Sequence, residues 1–259
     1  MTTNPELQAV LFDLDGTLYV GDEAVPGAVD AVSRVADLGI PRRYLTNTTR
    51  FSRRALRERL VSMGFPVEED ELYTASVAAT YWLQARGFRR VAVYLPEAAR
   101  SDFADFEIVE ESPEAVVVGD LGPGWSFERL NHAFRQVLEG AHLVALQKNR
   151  YWRTPEGLML DAGPLVAALE YATGQTATIV GKPNGEFFDL AVRALGVKPG
   201  RAVLIGDDIE ADVGGAQRAG LRGGLVRTGK FREEALASSG VTPDWTEDSV
   251  AEMVERLWP

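Results

Sequence analysis

Short apolar runs alternate with longer amphipathic segments along this chain. Ala9-Val10-Leu11-Phe12 reads as a buried strand, and Gly27 to Leu38 reads as a helix with Val29, Val32, Val35 and Ala36 on one face. Pro41 to Leu45 reads as the next strand, and Ser52 is placed to cap a helix reaching to about Met63. Further strands are expected at Arg90 to Leu95, Ala115 to Val118 and His142 to Leu146. Three more follow near the C-terminus, at Thr176 to Val180, Ala202 to Ile205 and Gly223 to Val226. Strand–helix alternation predicts an α/β fold with a parallel sheet and right-handed crossovers. In such sheets reactive groups gather beyond the carboxyl ends of the strands.

Those strand ends are unevenly furnished. The stretch from about Leu72 to Gln175 has strands and helices of its own but none of the polar clusters found elsewhere. It is therefore expected to be an inserted domain, residues 73–175, within a core made of residues 1–72 and 176–259.

Composition narrows the function classes. The chain has 259 residues, 46% hydrophobic and 25% charged, the balance of an ordinary globular protein with a substantial core. Its formal charge of −11 disfavours nucleic acid and anionic lipid as partners. The densest basic stretch, Arg50, Arg53, Arg54, Arg57 and Arg59, is spread around a helix and reads as a solvated face. The absence of cysteine excludes disulfides, thiolate metal sites and cysteine nucleophiles. Met1 to Gln8 is polar, and no apolar run approaches the roughly 18–20 residues of a membrane span, so a cytoplasmic protein is expected.

Four strand ends carry candidate chemistry. The first strand runs into Asp13-Leu14-Asp15-Gly16-Thr17, where Asp13 and Asp15 can project into one site while Gly16 lets the backbone turn. The second ends in Leu45-Thr46-Asn47-Thr48, offering a hydroxyl and backbone N–H groups suited to phosphate. The third leads into Gly181-Lys182-Pro183, a positive charge at a sheet edge. The fourth leads into Gly206-Asp207-Asp208, with Glu210 and Asp212 close behind. Clustered carboxylates there suit a hard divalent cation. Each has an ordinary explanation when taken singly: an Asp-Gly turn, a Thr or Ser cap, a surface lysine, acids at a helix N-terminus. Their combination in one α/β chain does not.

These four segments, in this order, resemble the motifs of the haloacid dehalogenase (HAD) superfamily of phosphohydrolases. Two aspartates in the first segment point to phosphoryl transfer, since the dehalogenase branch lacks the second. Asp13 to Val20, Leu45 to Thr48, Asp161 to Glu170 and Gly206 to Gly220 resemble subfamily IIA, the branch of the NagD-type and p-nitrophenyl phosphatases. Gly206 through Gln217, with Arg227-Thr228-Gly229-Lys230-Phe231, is most similar to the phospholysine phosphohistidine inorganic pyrophosphate phosphatase-like relatives. The resemblance implies a Rossmann-like core with an inserted α/β C2-type cap that selects a small-molecule phosphate ester, and a homodimer through that cap.

It also implies roles. Asp13 is the nucleophile, forming an aspartyl phosphate, and Asp15 the general acid and base. Thr46, Asn47 and Lys182 hold the transferring oxygens. Mg²⁺ is bound by the Asp13 and Asp207 carboxylates and the Asp15 main-chain carbonyl, with Asp208 and Asp212 in support. Electrostatics points the same way. Two unit charges 4 Å apart repel by about 4 kcal/mol at an effective dielectric near 20, so a phosphate dianion facing several aspartates needs a cation.

In the inserted stretch, Gln147-Lys148-Asn149 stands where NagD-type relatives have a Thr-Asn-x-Asp-like run, which departs from a nucleotide-selecting cap. Lys148 or Arg150 could meet an anion there, and Tyr151 or Trp152 could stack on a leaving group, although both are expected to pack inside the cap, the usual use of aromatic side chains. His132 and His142 lack partners at metal-ligand spacing and read as structural. Two other functions are compatible with the motifs: a phosphotransferase passing the group to a sugar hydroxyl, and a phospho-aspartate sensor. The intact acid Asp15 argues against the second.

Overall fold

Ala9–Asp13 is buried at every position, as an apolar run flanked on both sides by parallel neighbours must be. The structure, a computed structural model, describes residues 7–154 and 157–259. Most of the polar lead-in, residues 1–6, lies outside the described residues. The chain divides into two units. The first contains the described residues up to Thr46, then Leu56–Tyr73 and Lys182–Pro259; the second contains Asn47–Ala55 and Thr74–Gly181.

The first unit is built on a six-stranded sheet. Its order is Trp245–Glu247, Arg222–Val226, Ala202–Gly206, Ala9–Asp13, Arg42–Thr46, Leu72–Thr74. Ala9 lies opposite Ala202 and Val10 opposite Arg42, both in parallel register. From Ala9–Asp13 the chain adds strands outward on one side, then returns to add Ala202–Gly206 on the other. The reversal falls between these two central strands. At such a switch point the connections leave in opposite directions and open a crevice beyond the carboxyl ends.

The helix Ala28–Asp37 buries Ala28, Ala31, Val32 and Val35 and packs beside the helix Val250–Leu257. The stripe keeps the expected helical spacing but is rotated from the expected face, since Val29 instead lies against Gly64. Ser52 Oγ accepts from Ala55 N at 3.3 Å, as a cap for the helix Arg53–Ser62 should.

The second unit holds a five-stranded sheet. Its order is Thr178–Ile179, His142–Ala145, Ala115–Val118, Arg90–Tyr94, Glu107–Ile108, with parallel pairing throughout. Helices Phe127–Leu138 and Ala162–Thr173 lay Ala133, Val137, Val166 and Leu169 against Val116, Val118 and Leu143 to form its core. Just beyond Ala115–Val118, Thr49 Oγ1 accepts from Asp120 N at 2.8 Å and Arg50 Nε meets Asp120 Oδ2 at 2.8 Å. The segment after Thr46 is thereby tied into this unit.

The run expected at Thr176 to Val180 is shorter and belongs to the second sheet. Thr178 is in register with Val144, and Gly181 N donates to Leu146 O at 3.0 Å. The first unit resumes at Lys182, not at residue 176. Strands Leu72–Thr74 and Trp245–Glu247 and the hairpin Tyr151–Thr154 with Gly157–Leu160 were not anticipated, being too short to show a period. The basic stretch is largely paired: Arg57 with Glu68 at 3.3 Å and Arg59 with Asp22 at 3.0 Å, besides Arg50 with Asp120. Among the described residues no helix is long and apolar enough to cross a membrane.

Candidate active site

Asp13 closes its strand at the switch point with only 5% of its surface exposed. The chain then turns tightly, with Leu18 N donating to Leu14 O at 2.8 Å and Gly16 N to Tyr19 O at 2.8 Å. Gly16 supplies the positive φ of 96° that this turn needs. The turn brings Thr17 Oγ1 back to donate to Asp13 Oδ2 at 3.2 Å. Asp15 rides on the same turn with its side chain open to solvent. The protein mass around it and the Asp13 charge both raise its pKa above the usual carboxylate range.

Lys182, the first residue of the returning chain, is buried. Its ammonium donates to Asp13 Oδ1 and, at 2.7 Å, to Asp212 Oδ1. Burial alone would lower its pKa, but the two carboxylates outweigh burial and raise it.

Asp207 follows Ala202–Gly206 directly, on the other central strand, and is 2% exposed. Its Oδ2 accepts from the backbone N–H of Lys230 at 2.6 Å. Beyond it the chain winds as a π-helix over Ile209–Gly214, a wide turn frequent at functional sites. Asp208 caps that helix, its Oδ1 accepting from Glu210 N at 3.0 Å and Ala211 N at 2.9 Å. Asp212, one turn on, points back into the cluster. A Cβ on Gly206 would fall 2.5 Å from Asp212 Oδ2, so only glycine admits the carboxylate there.

Carboxylate oxygens of Asp13, Asp207 and Asp212 all lie within 4.8 Å of one another, the group of this kind found among the described residues. Burial, then the Asp13 charge, pushes Asp212 up to about 7. Burial, Asp13 and Asp212 push Asp207 well up in turn. Crowded carboxylates that resist ionising lack sufficient countercharge, and hard oxygen donors in this number suit a divalent cation. The residues therefore fit a metal ion.

Asp13, Lys182, Asp207 and Asp212 are thus brought together from distant parts of the sequence. Asp15 sits on the adjoining turn. Thr46 ends the neighbouring strand, buried, one position past Leu45, the register partner of Asp13. Asp208 is turned to its helix cap. Asn47 falls in the second unit, where a Cβ on Gly181 would lie 2.5 Å from its Oδ1.

Sequence reading assigned no role to Thr17, Thr228 or Lys230. A signal for the last two was available: Gly223 to Val226 was an expected strand, and Arg222–Val226 lies beside Ala202–Gly206, so its loop emerges next to Asp207.

In the second unit, Lys148 is engaged by Glu170 at 2.5 Å, so the anion contact suggested for it is already taken internally. Gln147 Nε2 donates to Asp161 Oδ1, which also accepts from Ala162 N at 2.7 Å. Tyr151 does not pack inside. It is 56% exposed, and directly opposite it on the hairpin is Leu160, 70% exposed, so both occupy an outward face. The side chain of Trp152 lies outside the described residues. His142 packs near the rings of Trp82 and Phe88, and His132 Nε2 lies 3.3 Å from Gln136 Nε2; neither belongs to the acidic group.

The chain is similar to known proteins over nearly its whole length. A family model described as haloacid dehalogenase-like hydrolase matches residues 10–109, and a HAD-hydrolase-like model matches residues 179–253. The chain is 42% identical over 257 residues to haloacid dehalogenase-like hydrolase domain-containing protein 2 of Bos taurus, covering 99% of this chain and 98% of that protein. It is 40% identical over 257 residues to the phospholysine phosphohistidine inorganic pyrophosphate phosphatase of Homo sapiens, covering 97% and 94%. The fold is similar to that of the 4-nitrophenylphosphatase from Thermotoga maritima, with a TM-score of 0.91, 27% identity and coverage of 97% and 98%.

Proposed function

This chain belongs to the haloacid dehalogenase-like hydrolases and is a phosphatase of that family, and we propose that it hydrolyses small-molecule phosphate monoesters through a phosphoryl group carried on Asp13. The observation that carries the reading is the meeting of Asp13, Lys182, Asp207 and Asp212 at the switch point of the first sheet.

Asp13 attacks phosphorus in line, forming an aspartyl phosphate as the P–O bond to the leaving group breaks. Thr17 and Lys182, both donating to Asp13, hold the carboxylate so that one oxygen presents a fixed lone pair. Asp15 gives its proton to the departing alkoxide, then removes one from the water that hydrolyses the acyl phosphate. A pKa above the ordinary carboxylate range suits a group that must hold a proton and later take one back. Lys182 also balances charge on the transferring oxygens, joined in this by the Thr46 hydroxyl and the Asn47 N–H.

Mg²⁺ fits the acidic group. The Asp13 and Asp207 carboxylates and the Asp15 main-chain carbonyl would hold it, with Asp212 in support. When bound it neutralises charge on the phosphoryl oxygens. The second unit serves as the cap that chooses the leaving group.

The test is phosphate release from p-nitrophenyl phosphate with and without Mg²⁺. Turnover should require the metal and vanish in Asp13→Asn. Failure to release phosphate across a panel of sugar phosphates, nucleotides, phosphoglycolate, pyridoxal phosphate and pyrophosphate would overturn it.

A further inference from the structure

Three residues in the loop beyond Arg222–Val226, Thr228, Gly229 and Lys230, make contacts that none of the roles above uses. Thr228 Oγ1 donates to the carbonyl of Gly16 at 2.5 Å, across 212 residues of sequence. Lys230 N donates to Asp207 Oδ2 at 2.6 Å. Between them, Gly229 adopts a φ of 51° and lies so close to the first loop that an added Cβ would fall 2.4 Å from Gly16 Cα and 2.0 Å from Asp207 Oδ2. A Cβ on Gly16 would also fall 2.0 Å from Asp207 Oδ2. Two glycines face each other across one carboxylate oxygen, and no larger residue fits at either position without displacing it.

We propose that Thr228-Gly229-Lys230 is a positioning element of this site. It fixes two groups at once: the turn that carries Asp15, through Gly16, and the Asp207 carboxylate, through a backbone N–H. A carboxylate beside two others would otherwise rotate away from their charge, and an N–H on Oδ2 removes that freedom. The other oxygen is then committed to the face shared with Asp13 and Asp212. The loop reaches Asp207 because its strand, Arg222–Val226, is the sheet neighbour of the strand that delivers Asp207. The metal-related part of this inference rests on the function proposed above; the fixing of the turn does not.

The test compares Thr228→Val, which keeps the shape and loses the hydroxyl, with Thr228→Ser, which keeps the hydroxyl. In metal-free protein, deuterium uptake by the segment 14–19 should rise in Thr228→Val and stay at the wild-type level in Thr228→Ser. In Mg²⁺ calorimetry, Thr228→Val should bind about 3- to 10-fold more weakly, the scale of one lost hydrogen bond. Its kcat for p-nitrophenyl phosphate should fall by more than its KM changes. Gly229→Ala should lose Mg²⁺ binding while its circular dichroism stays native; if it fails to fold, the Thr228 pair decides alone. Unchanged uptake in Thr228→Val, or a Thr228→Ser variant as impaired as Thr228→Val, overturns the proposal. A wild-type protein that neither binds Mg²⁺ nor releases phosphate overturns the proposed function instead, and the exchange experiment still tests the turn.

Discussion

Lys182 Nζ lies 2.7 Å from Asp212 Oδ1, joining the residue on which the chain re-enters the first unit to the π-turn that follows the fourth motif. The same ammonium contacts Asp13, so a single buried cation separates the carboxylate that ends one central strand from one on the π-turn beyond the other. Each charge in this group is tolerable only while its partners are present.

Removing that cation therefore has two measurable effects. Lys182→Met is expected to lower phosphatase kcat by about 10²-fold or more, the cost of deleting a preorganised charge donor. It should also destabilise the metal-free protein by about 3–5 kcal/mol, because breaking a buried ion pair strands the remaining charges. Adding Mg²⁺ should recover part of that loss. Urea unfolding in EDTA and in Mg²⁺ checks both, and equal midpoints for variant and wild type in EDTA would count against the buried pairing.

Asp208 and Asp212 are alike in the sequence and different in the structure. Asp208 spends its Oδ1 on two backbone N–H groups at the start of the π-turn, whereas Asp212 contributes to the buried acidic group. Asp208→Ala should cost about 0.5–2 kcal/mol of stability, as lost helix caps do, and leave Mg²⁺ affinity nearly unchanged. Asp212→Asn removes a charge a few ångströms from a divalent ion and should weaken Mg²⁺ binding by about ten-fold or more. Calorimetry on both variants decides between them, and equal affinities would reject the division of roles.

Much of this is legible in the sequence. The apolar runs predicted the strands Ala9–Asp13 and Ala202–Gly206 to within a residue, because a strand buried on both faces leaves a continuous apolar signature; Arg42–Thr46 shows this only at its buried end, Tyr44 to Thr46. Asp13 and Asp207 stood out because each ends or directly follows such a strand, and Lys182 because it lies just past the short apolar run Ile179-Val180. What could not be read was sheet membership. Thr178–Ile179 pairs with His142–Ala145 through backbone hydrogen bonds, which carry no side-chain signature. Nor could side-chain direction be read: nothing in the sequence around Asp208 and Asp212 says which carboxylate caps a helix and which enters the cluster. Tyr151 illustrates the limit of an average tendency, since a two-stranded hairpin has an outer face and its register put the ring there.

The strand that carries the Thr228 loop is itself anchored by an acid, and that anchor titrates. Asp244 accepts from Gly223 N at 2.8 Å and from Gln217 Nε2 at 3.1 Å, and it pairs with Arg222 at 2.9 Å. Burial alone would raise its pKa; the Gly223 N–H, the Gln217 amide and the Arg222 guanidinium outweigh burial and lower it below the ordinary value of 3.8. A carboxyl whose pKa falls on folding stabilises the folded state above its unfolded pKa. That stabilisation is lost as pH falls through the folded value, because the unfolded chain then binds the proton first. Asp244→Asn keeps the shape without the charge. It should unfold at a lower urea concentration than the wild type at neutral pH, with the gap closing only below a pH of about 4. Urea midpoints measured from neutral pH down to the acid transition check this. A gap that stays constant over that range would mean that the charge of Asp244 adds nothing to the anchoring of Arg222–Val226.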